Sequence, residues 1–206
     1  PIADDTIIKA KEIMQCDLFQ VYGLTETTGA ITIMMPEDHD PKKGKLRSCG
    51  KALKGVELKV VDENGNDLKT GEIGEVISKS DLNMKGYWNK PDATKESIVD
   101  GWFYSGDAGF FDDEGYLFIH DRVKDMIVSG GENIYPAEVE NALMSHKEIL
   151  DAAVVGIPDD KWGESVIGFV VVGESTTLSE DAIISYVRTQ IAAYKCPKSI
   201  KFINEL

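Results

Sequence analysis

Apolar and polar residues alternate through most of the stretch between residues 56 and 120, which is the period of half-buried β-strands. Two polar turns that each contain a glycine interrupt the alternation, at 62–66 and 112–115. The pattern therefore predicts two hairpins, formed by strands 56–61 with 74–78 and 102–111 with 116–120. Together they predict a small, twisted β-subdomain in the middle of the chain.

The region before this subdomain combines a helical pattern with short apolar runs. Residues 6–14 carry isoleucines at roughly helical spacing and predict a helix. Two short predicted strands follow, 18–22 and 31–35, separated by a polar, threonine-rich turn at 23–29. Residues 39–45 are predicted to form a loop.

After residue 125 strands and helices alternate. Pro136 stands where a helix would begin, and Ser179 or a neighbour is placed to cap a second helix. The apolar residues of this second helix share one face: Ile183, Ile184, Val187 and Ile191. The predicted order is β-α-β-β-α-β, with strands at 126–129, 152–157, 166–172 and 200–203. That order predicts a small α+β domain with its helices on one face of a sheet. The fold class expected for the whole chain is mixed, α/β and α+β.

The charge of the chain restricts the partners that it can have. The formal net charge is −14 over 206 residues, so the chain lacks the basic surface that a general nucleic-acid binder needs. If the substrates are anions, the overall field opposes them. Local lysines and arginines must then attract them.

Cysteine usage and hydropathy indicate the compartment. Cys16, Cys49 and Cys196 lie far apart in a pattern that favours a reducing environment and predicts neither a disulfide nor a zinc site. The longest apolar run, 166–172, is much too short to cross a membrane. The chain begins with Pro1 and an acidic pair rather than with a signal peptide. We therefore expect a cytoplasmic protein without a transmembrane segment.

Polar residues with ligand-binding chemistry follow the first predicted strand. The ring of Tyr22 can stack on a purine, and the hydroxyl and backbone N–H of Thr25 can bind a phosphate oxygen. Glu26 can hold Mg²⁺, which prefers carboxylate and phosphate oxygens. The alternative is a surface turn with polar residues.

A carboxylate and an arginine lie on the predicted second hairpin. Asp107 could accept hydrogen bonds from both hydroxyls of a ribose, as acidic residues do in other nucleotide sites. Arg122 could bind the same ribose or a phosphate through its planar guanidinium. The alternatives are a turn residue for Asp107 and, for Arg122, a surface salt bridge with Asp121 or Asp125, which would contribute little.

Two further features remain ambiguous from the residues alone. The pair Gly130 and Gly131 usually indicates only a turn. Trp162 is expected to act only as a surface plug that covers the small domain. The sequence contains no Gly-x-x-x-x-Gly-Lys-Ser/Thr phosphate loop and no Gly-x-Ser-x-Gly elbow, and Ser105 has no histidine near it in sequence, so a serine hydrolase is unsupported.

Several segments together resemble the acyl- and aryl-CoA synthetases of the adenylate-forming superfamily, which also contains firefly luciferases and the adenylation domains of peptide synthetases. Residues 22–29 resemble the family's Tyr-Gly-x-Thr-Glu motif, and 101–107 its ribose-binding segment. Residues 121–124 resemble its hinge, and 129–140 the start of its mobile C-terminal domain. The resemblance spans almost the whole chain, in the family's order and spacing.

The resemblance implies a two-step reaction. A carboxylic acid and Mg-ATP give an acyl-adenylate and pyrophosphate, and coenzyme A then yields a thioester and AMP. It implies that Tyr22 packs on adenine beside Gly23, that Thr25 touches the phosphate and that Glu26 holds Mg²⁺. It also implies that Asp107 and Arg122 hold the ribose and that Lys124 lies at the hinge. Gly130 and Gly131 would flank the pantetheine path.

The resemblance also implies a domain organisation. Residues 1–121 correspond to the C-terminal part of the AMP-binding adenylation domain, 122–124 to the hinge, and 125–206 to a mobile C-terminal domain that is incomplete at its end. The family's phosphate loop and its adenylating lysine find no counterpart in these residues, and Lys195 and Lys198 precede the strand after which that lysine is expected. We therefore expect the parent to be an acid–thiol ligase and the 206 residues alone to be inactive.

Two alternatives remain at this point. One is an adenylation domain that loads a carrier protein, and the other is a non-catalytic nucleotide-binding module. The form of residues 129–136 looks more like fatty or aromatic acyl-CoA ligases than like peptide synthetases. For the acid itself, only Gly23, Leu24 and the segment 29–31 are expected to line a pocket.

Overall fold

The chain folds as two units, Pro1–Val123 and Lys124–Leu206. The structure, a computed structural model, describes residues 4–173 and 176–206. Within these residues no helix combines the length and the apolar character needed to span a bilayer. All three cysteines are free thiols.

The first unit begins with a helix and a three-stranded antiparallel sheet. Helix α1 (Asp4–Met14) confirms the predicted helix. Strands β1 (Gln20–Leu24), β2 (Gly29–Met34) and β3 (Lys51–Ala52) form the sheet in the order β1-β2-β3. The predicted turn 23–29 was too long, because Gly23 still pairs with Ala30. A Cβ at Gly23 would lie 1.9 Å from the carbonyl oxygen of Gly29, so only glycine permits this close cross-strand approach.

A five-stranded sheet forms the rest of the first unit and confirms the predicted β-subdomain and both hairpins. Its elements are β4 (Glu57–Val61), β5 (Gly74–Lys79), helix α2 (Pro91–Ser97), β6 (Ile98–Val99), β7 (Trp102–Phe111) and β8 (Leu117–Arg122). The strand order is β4-β5-β7-β6, and β8 also pairs with β7. Sequence analysis missed α2, which has two turns and buries none of its residues, so it lacks an apolar stripe.

The second unit is a sheet with helices packed on one face. Its elements are β9 (Ile127–Ser129), β10 (Glu132–Ile134), α3 (Pro136–Met144), β11 (Ile149–Asp159), β12 (Gly163–Val172), α4 (Glu180–Val187) and β13 (Ser199–Ile203). The order is β10-β9-β12-β11, with β13 parallel to β12. The predicted β-α-β-β-α-β order holds except for β10, whose three residues include two polar ones and carry no alternation to detect.

One apolar cluster joins the helices of the second unit to its sheet. Val139 and Leu143 of α3 and Ile183 and Val187 of α4 are buried in one cluster with strand residues such as Val170. The Oγ of Ser179 accepts the N–H of Ala182 at 3.2 Å, which confirms the predicted cap. Ile191, predicted on the same helical face, lies beyond the end of α4 but still packs against the cluster.

Candidate nucleotide site and its relatives

The turn after β1 is tied closely to its own backbone. Residues Thr25–Thr27 form one turn of 3-10 helix. The Oγ1 of buried Thr27 accepts the N–H of Leu24 at 2.9 Å and lies 2.8 Å from the carbonyl oxygen of Gly29. These bonds fix both ends of the turn, and Thr25 and Glu26 line an adjoining pocket.

Tyr22 connects this turn to the five-stranded sheet. Its ring packs against the cluster formed by Val60, Val76 and Leu117. Its hydroxyl donates a hydrogen bond of 2.7 Å to Oδ2 of Asp107. Burial and then this bond to a carboxylate raise the pKa of Tyr22, so the phenol stays protonated and remains a donor.

Asp107 is presented by a bulge in β7. Glu75 pairs with Ala108 and Ile77 with Tyr104, so Val76 alone lies opposite the three residues Ser105, Gly106 and Asp107. Ser105 Oγ donates to the carbonyl of Val76 at 2.6 Å and accepts the N–H of Asp107 at 3.0 Å. The hydroxyl of Ser105 is therefore part of the scaffold.

Arg122 is the ion-pair partner of Asp107. Its Nη1 lies 3.0 Å from Oδ1 of Asp107 and donates to the carbonyl of Ser105 at 3.2 Å. The two residues are also cross-strand partners in β7 and β8. The salt bridge of the Arg122 side chain with Asp121 or Asp125, considered from sequence, is thus replaced by one with Asp107, which is only 7% exposed.

The loop between β5 and α2 holds Glu26. Its Oε1 accepts a hydrogen bond of 2.9 Å from the hydroxyl of Tyr87, and its carbonyl accepts the N–H of Met84 at 2.7 Å. Burial raises the pKa of Tyr87, and the bond to the Glu26 carboxylate adds to the rise. Sequence reasoning missed Tyr87, although an aromatic pair inside an otherwise polar loop is a usable signal.

Two adjoining pockets surround these residues, with volumes of about 370 Å³ and 620 Å³. Leu24, Glu26 and Arg122 line both of them. The larger pocket also contains the predicted residues Gly23, Thr25, Gly29 and Ala30. Ile31, predicted beside them, is fully buried and lines neither. Tyr22 and Asp107 line neither of these two pockets, whereas Arg122, the ion-pair partner of Asp107, lines both.

Gly130 and Gly131 form the turn between β9 and β10 in the second unit, with φ angles of +63° and +84°. The N–H of Gly130 donates to the carbonyl of Trp162 at 2.8 Å. A Cβ at Gly130 would lie 2.8 Å from the indole ring of Trp162, whereas one at Gly131 would meet no heavy atom within 4 Å. Trp162 is 42% exposed and lines a pocket of about 630 Å³ with Gly130.

Lys195 and Lys198, near the end of the chain, are engaged in ion pairs. Lys195 Nζ lies 2.6 Å from Oε2 of Glu138, and Lys198 Nζ lies 3.0 Å from Oδ2 of Asp159. Lys124 lies in the 3-10 turn Val123–Asp125, at the boundary between the two units.

Comparison with known proteins relates both units to AMP-binding enzymes. The sequence model described as AMP-binding enzyme matches residues 1–88, and the model described as AMP-binding enzyme C-terminal domain matches residues 138–206. A fatty acid–[acyl-carrier-protein] ligase, ScoC of Streptomyces coeruleorubidus, is 39% identical over the whole chain. The long-chain-fatty-acid–CoA ligase FadD13 of Mycobacterium tuberculosis is 42% identical over 98% of it.

Solved structures show the same fold. The o-succinylbenzoate CoA synthetase MenE from Bacillus subtilis, in complex with an acyl-adenylate intermediate, matches the whole chain with a TM-score of 0.90 and 36% identity. The same synthetase was also solved with ATP and a magnesium ion, with a TM-score of 0.88 and 35% identity. The chain spans 40% of ScoC, 39% of FadD13 and 41% of the MenE chain bound to the adenylate.

Proposed function

We propose that this chain, which belongs to the AMP-binding enzyme family, is the nucleotide-binding and hinge-bearing part of a cytoplasmic acid–CoA ligase. In the proposed reaction a fatty or aromatic carboxylic acid reacts with Mg-ATP to give an acyl-adenylate and pyrophosphate. The acyl group then passes to the thiol of coenzyme A, and AMP leaves. Because the chain spans about 40% of its relatives, the activity belongs to the longer polypeptide that would contain it.

The observation that carries this proposal is the coordination of Asp107. A carboxylate can accept about four hydrogen bonds. Tyr22 donates to one oxygen and Arg122 to the other, which leaves one acceptor position on each. Two remaining positions match the two hydroxyls of a ribose. The ion pair with Arg122 offsets the cost of burying this carboxylate, and Arg122, whose side chain is 48% exposed, is free to turn towards a ligand.

The phosphate end of the nucleotide would lie along the turn after β1. Thr25 and Glu26 both line the larger pocket, and Tyr87 holds the carboxylate of Glu26 in place. A carboxylate in this position fits Mg²⁺, which when bound neutralises the charge on phosphate oxygens. Thr25 supplies hydrogen-bond donors for the same oxygens. In this arrangement the adenine would lie beside Gly23, which lines the larger pocket, and the core-packed ring of the preceding Tyr22 would support it from outside the pocket lining.

The acid would enter the larger pocket from the side lined by Gly23, Leu24, Gly29 and Ala30. Apart from Leu24, these residues present only backbone or a methyl group, which leaves room for a bulky acyl group. A carboxylate held here lies near Glu26 and Arg122, so the guanidinium can offset the repulsion between the two anionic reactants.

The second step would use the other unit. Both glycines of the β9–β10 turn have positive φ, and the open side of Gly131 allows a thin chain such as pantetheine to pass close to the backbone. Lys124, at the boundary of the units, would be the hinge about which residues 125–206 turn between the two half-reactions.

A carrier-protein ligase is the second candidate, because ScoC transfers to an acyl carrier protein and matches the whole chain. The thiol of a carrier protein, like that of coenzyme A, belongs to a pantetheine arm, so the same site would serve both acceptors. Thioester formation measured in parallel with coenzyme A and with a pantetheinylated carrier protein separates the two. We expect coenzyme A to be the better acceptor.

Acid-dependent exchange of pyrophosphate into ATP by the longer polypeptide tests the first step. Exchange that is lost in Asp107→Ala supports the proposal. Binding of ATP without exchange for any fatty or aromatic acid would instead identify a non-catalytic nucleotide-binding module and overturn it.

A further inference from the structure

We propose that Glu75 is a positioning residue that holds the bulge of β7 in shape and thereby directs Asp107 at the ribose. The proposal rests on the function proposed above, because it assumes that Asp107 binds the ribose of the nucleotide. Glu75 lies on β5, the strand next to the bulge, and lines the smaller pocket.

The contact that carries the proposal joins a side chain to a backbone amide. The N–H of Gly106, in the centre of the bulge, donates to Oε1 of Glu75 at 2.9 Å. The ladder cannot supply a partner there, because Val76 alone faces Ser105, Gly106 and Asp107. A half-buried amide without a partner would destabilise this conformation, so the carboxylate replaces the missing strand contact.

Two side chains therefore cap consecutive amides of the bulge. Ser105 Oγ accepts the N–H of Asp107, and Glu75 accepts the N–H of Gly106. Gly106 itself has φ of +72°, a conformation that glycine adopts readily but that the ladder does not enforce. Without Glu75 the Gly106 peptide is free to rotate, and Asp107, which follows it directly, loses its fixed direction.

Glu75 occupies an unfavourable place for an ordinary structural carboxylate. Burial and the negative charge of Asp107 raise its pKa, while the bond from Gly106 opposes the rise. An apolar residue at this half-buried position would avoid both penalties. A carboxylate is useful here because it reaches across to the amide beside the ribose-binding residue.

Binding of AMP and of 2′-deoxy-AMP to the longer polypeptide, measured by calorimetry, tests the proposal. The wild type should bind AMP roughly ten- to a hundredfold more tightly, because 2′-deoxy-AMP lacks one hydroxyl bonded to a charged group. Asp107→Ala should reduce this preference to about one. Glu75→Ala should reduce it by most of the same factor, while Glu75→Gln, whose amide oxygen can still accept the Gly106 N–H, should keep it.

The controls separate positioning from general destabilisation. Glu57→Ala removes an exposed carboxylate from the neighbouring strand β4 and should leave the preference unchanged. Glu75→Asp, which is too short to reach Gly106, should behave like Glu75→Ala and serves in its place if the alanine variant does not fold. If Glu75→Ala weakens both nucleotides equally, so that their ratio stays at the wild-type value, the proposal is wrong.

Failure of this inference is distinguishable from failure of the proposed function. A wild-type protein without any preference for AMP overturns the role of the bulge, whatever its catalytic activity. A protein with the expected preferences in all variants but without pyrophosphate exchange overturns the ligase and leaves the role of Glu75 standing.

Discussion

The hydroxyl of Tyr22 and the carboxylate of Asp107, 85 residues apart in sequence, meet in a hydrogen bond of 2.7 Å. Tyr22 lies on β1 and Asp107 on β7, so this contact links two separate sheets of the first unit. The other oxygen of the carboxylate pairs with Arg122. The direction of Asp107 therefore depends on both sheets.

Tyr22→Phe should destabilise the first unit and weaken nucleotide binding together. The variant keeps the ring but leaves the buried Asp107 with one donor fewer, and a hydrogen bond to a charged group contributes about 1.5–3 kcal/mol. Urea denaturation should show a loss of this size in the free energy of unfolding. The dissociation constant for AMP should rise in the longer polypeptide.

Tyr104→Phe is the matched control. Tyr104 lies on the same strand as Asp107 and lines the smaller pocket, and its hydroxyl makes no hydrogen bond to any of the described residues. Its loss should change stability by less than about 0.5 kcal/mol. Equal effects of the two substitutions would mean that the bond between Tyr22 and Asp107 does not stabilise the site.

Gly130→Ala should be more harmful than Gly131→Ala. Both residues have positive φ, so both variants incur a backbone strain of about 1–2 kcal/mol. Only at Gly130 does the added methyl group meet the Trp162 ring, and overpacking adds about 1 kcal/mol or more. Thermal unfolding of the two variants measures the difference, and the fluorescence of Trp162 should change only in Gly130→Ala.

Removing the indole tests the cause of that difference. In a Trp162→Ala background the two alanine substitutions should have similar effects, because the steric conflict is absent. A persistent excess for Gly130→Ala would show that the turn itself, rather than its contact with Trp162, disfavours a side chain.

Glu75→Gln should make the protein more stable than wild type at neutral pH and equally stable in acid. A carboxyl whose pKa is raised by folding binds protons more tightly in the folded state, so stability falls as pH rises from its ordinary value of 4.5 through the raised value. Glutamine avoids this loss and keeps an acceptor for Gly106. Urea midpoints of both proteins between pH 4 and 7 should diverge with rising pH, and parallel curves would contradict the shift.

The elements that sequence predicted well are those whose residues repeat a period over several turns or pairs. Strands 102–111 and 116–120 alternate and enclose a glycine turn, and the structure forms that hairpin as β7 and β8. Elements without such a period were missed. Helix α2 buries no residue, and β10 is only three residues long.

In the candidate site, too, some residues were predictable from sequence and others were not. Local motifs indicated Tyr22, Glu26 and Asp107, because each stands in a recognisable string. The partners that hold them were not predictable, since Tyr87 approaches Glu26 across 61 residues and Glu75 approaches Gly106 across 31. The first pairing joins two loops and the second crosses the bulge in β7, and neither leaves a repeating pattern in the sequence.

Lys124→Pro should separate the two half-reactions. Lys124 lies in a 3-10 turn where one unit ends and the other begins, so its backbone is the place to absorb a change in domain orientation. Proline fixes φ near −65° and also restricts the preceding residue. In the longer polypeptide we expect adenylation to survive, because the adenylating orientation is adopted first. Thioester formation should fall on the order of a hundredfold.

Each half-reaction is measured separately, by pyrophosphate exchange and by capture of preformed acyl-adenylate with coenzyme A. Lys124→Ala is the control, since it removes the ammonium group and leaves φ unrestricted. If alanine reproduces the proline effect, the side chain rather than backbone rotation is responsible. If proline slows both half-reactions equally while alanine slows neither, residue 124 is structural and the hinge lies elsewhere. Only a selective loss of thioester formation in the proline variant assigns the rotation to this residue.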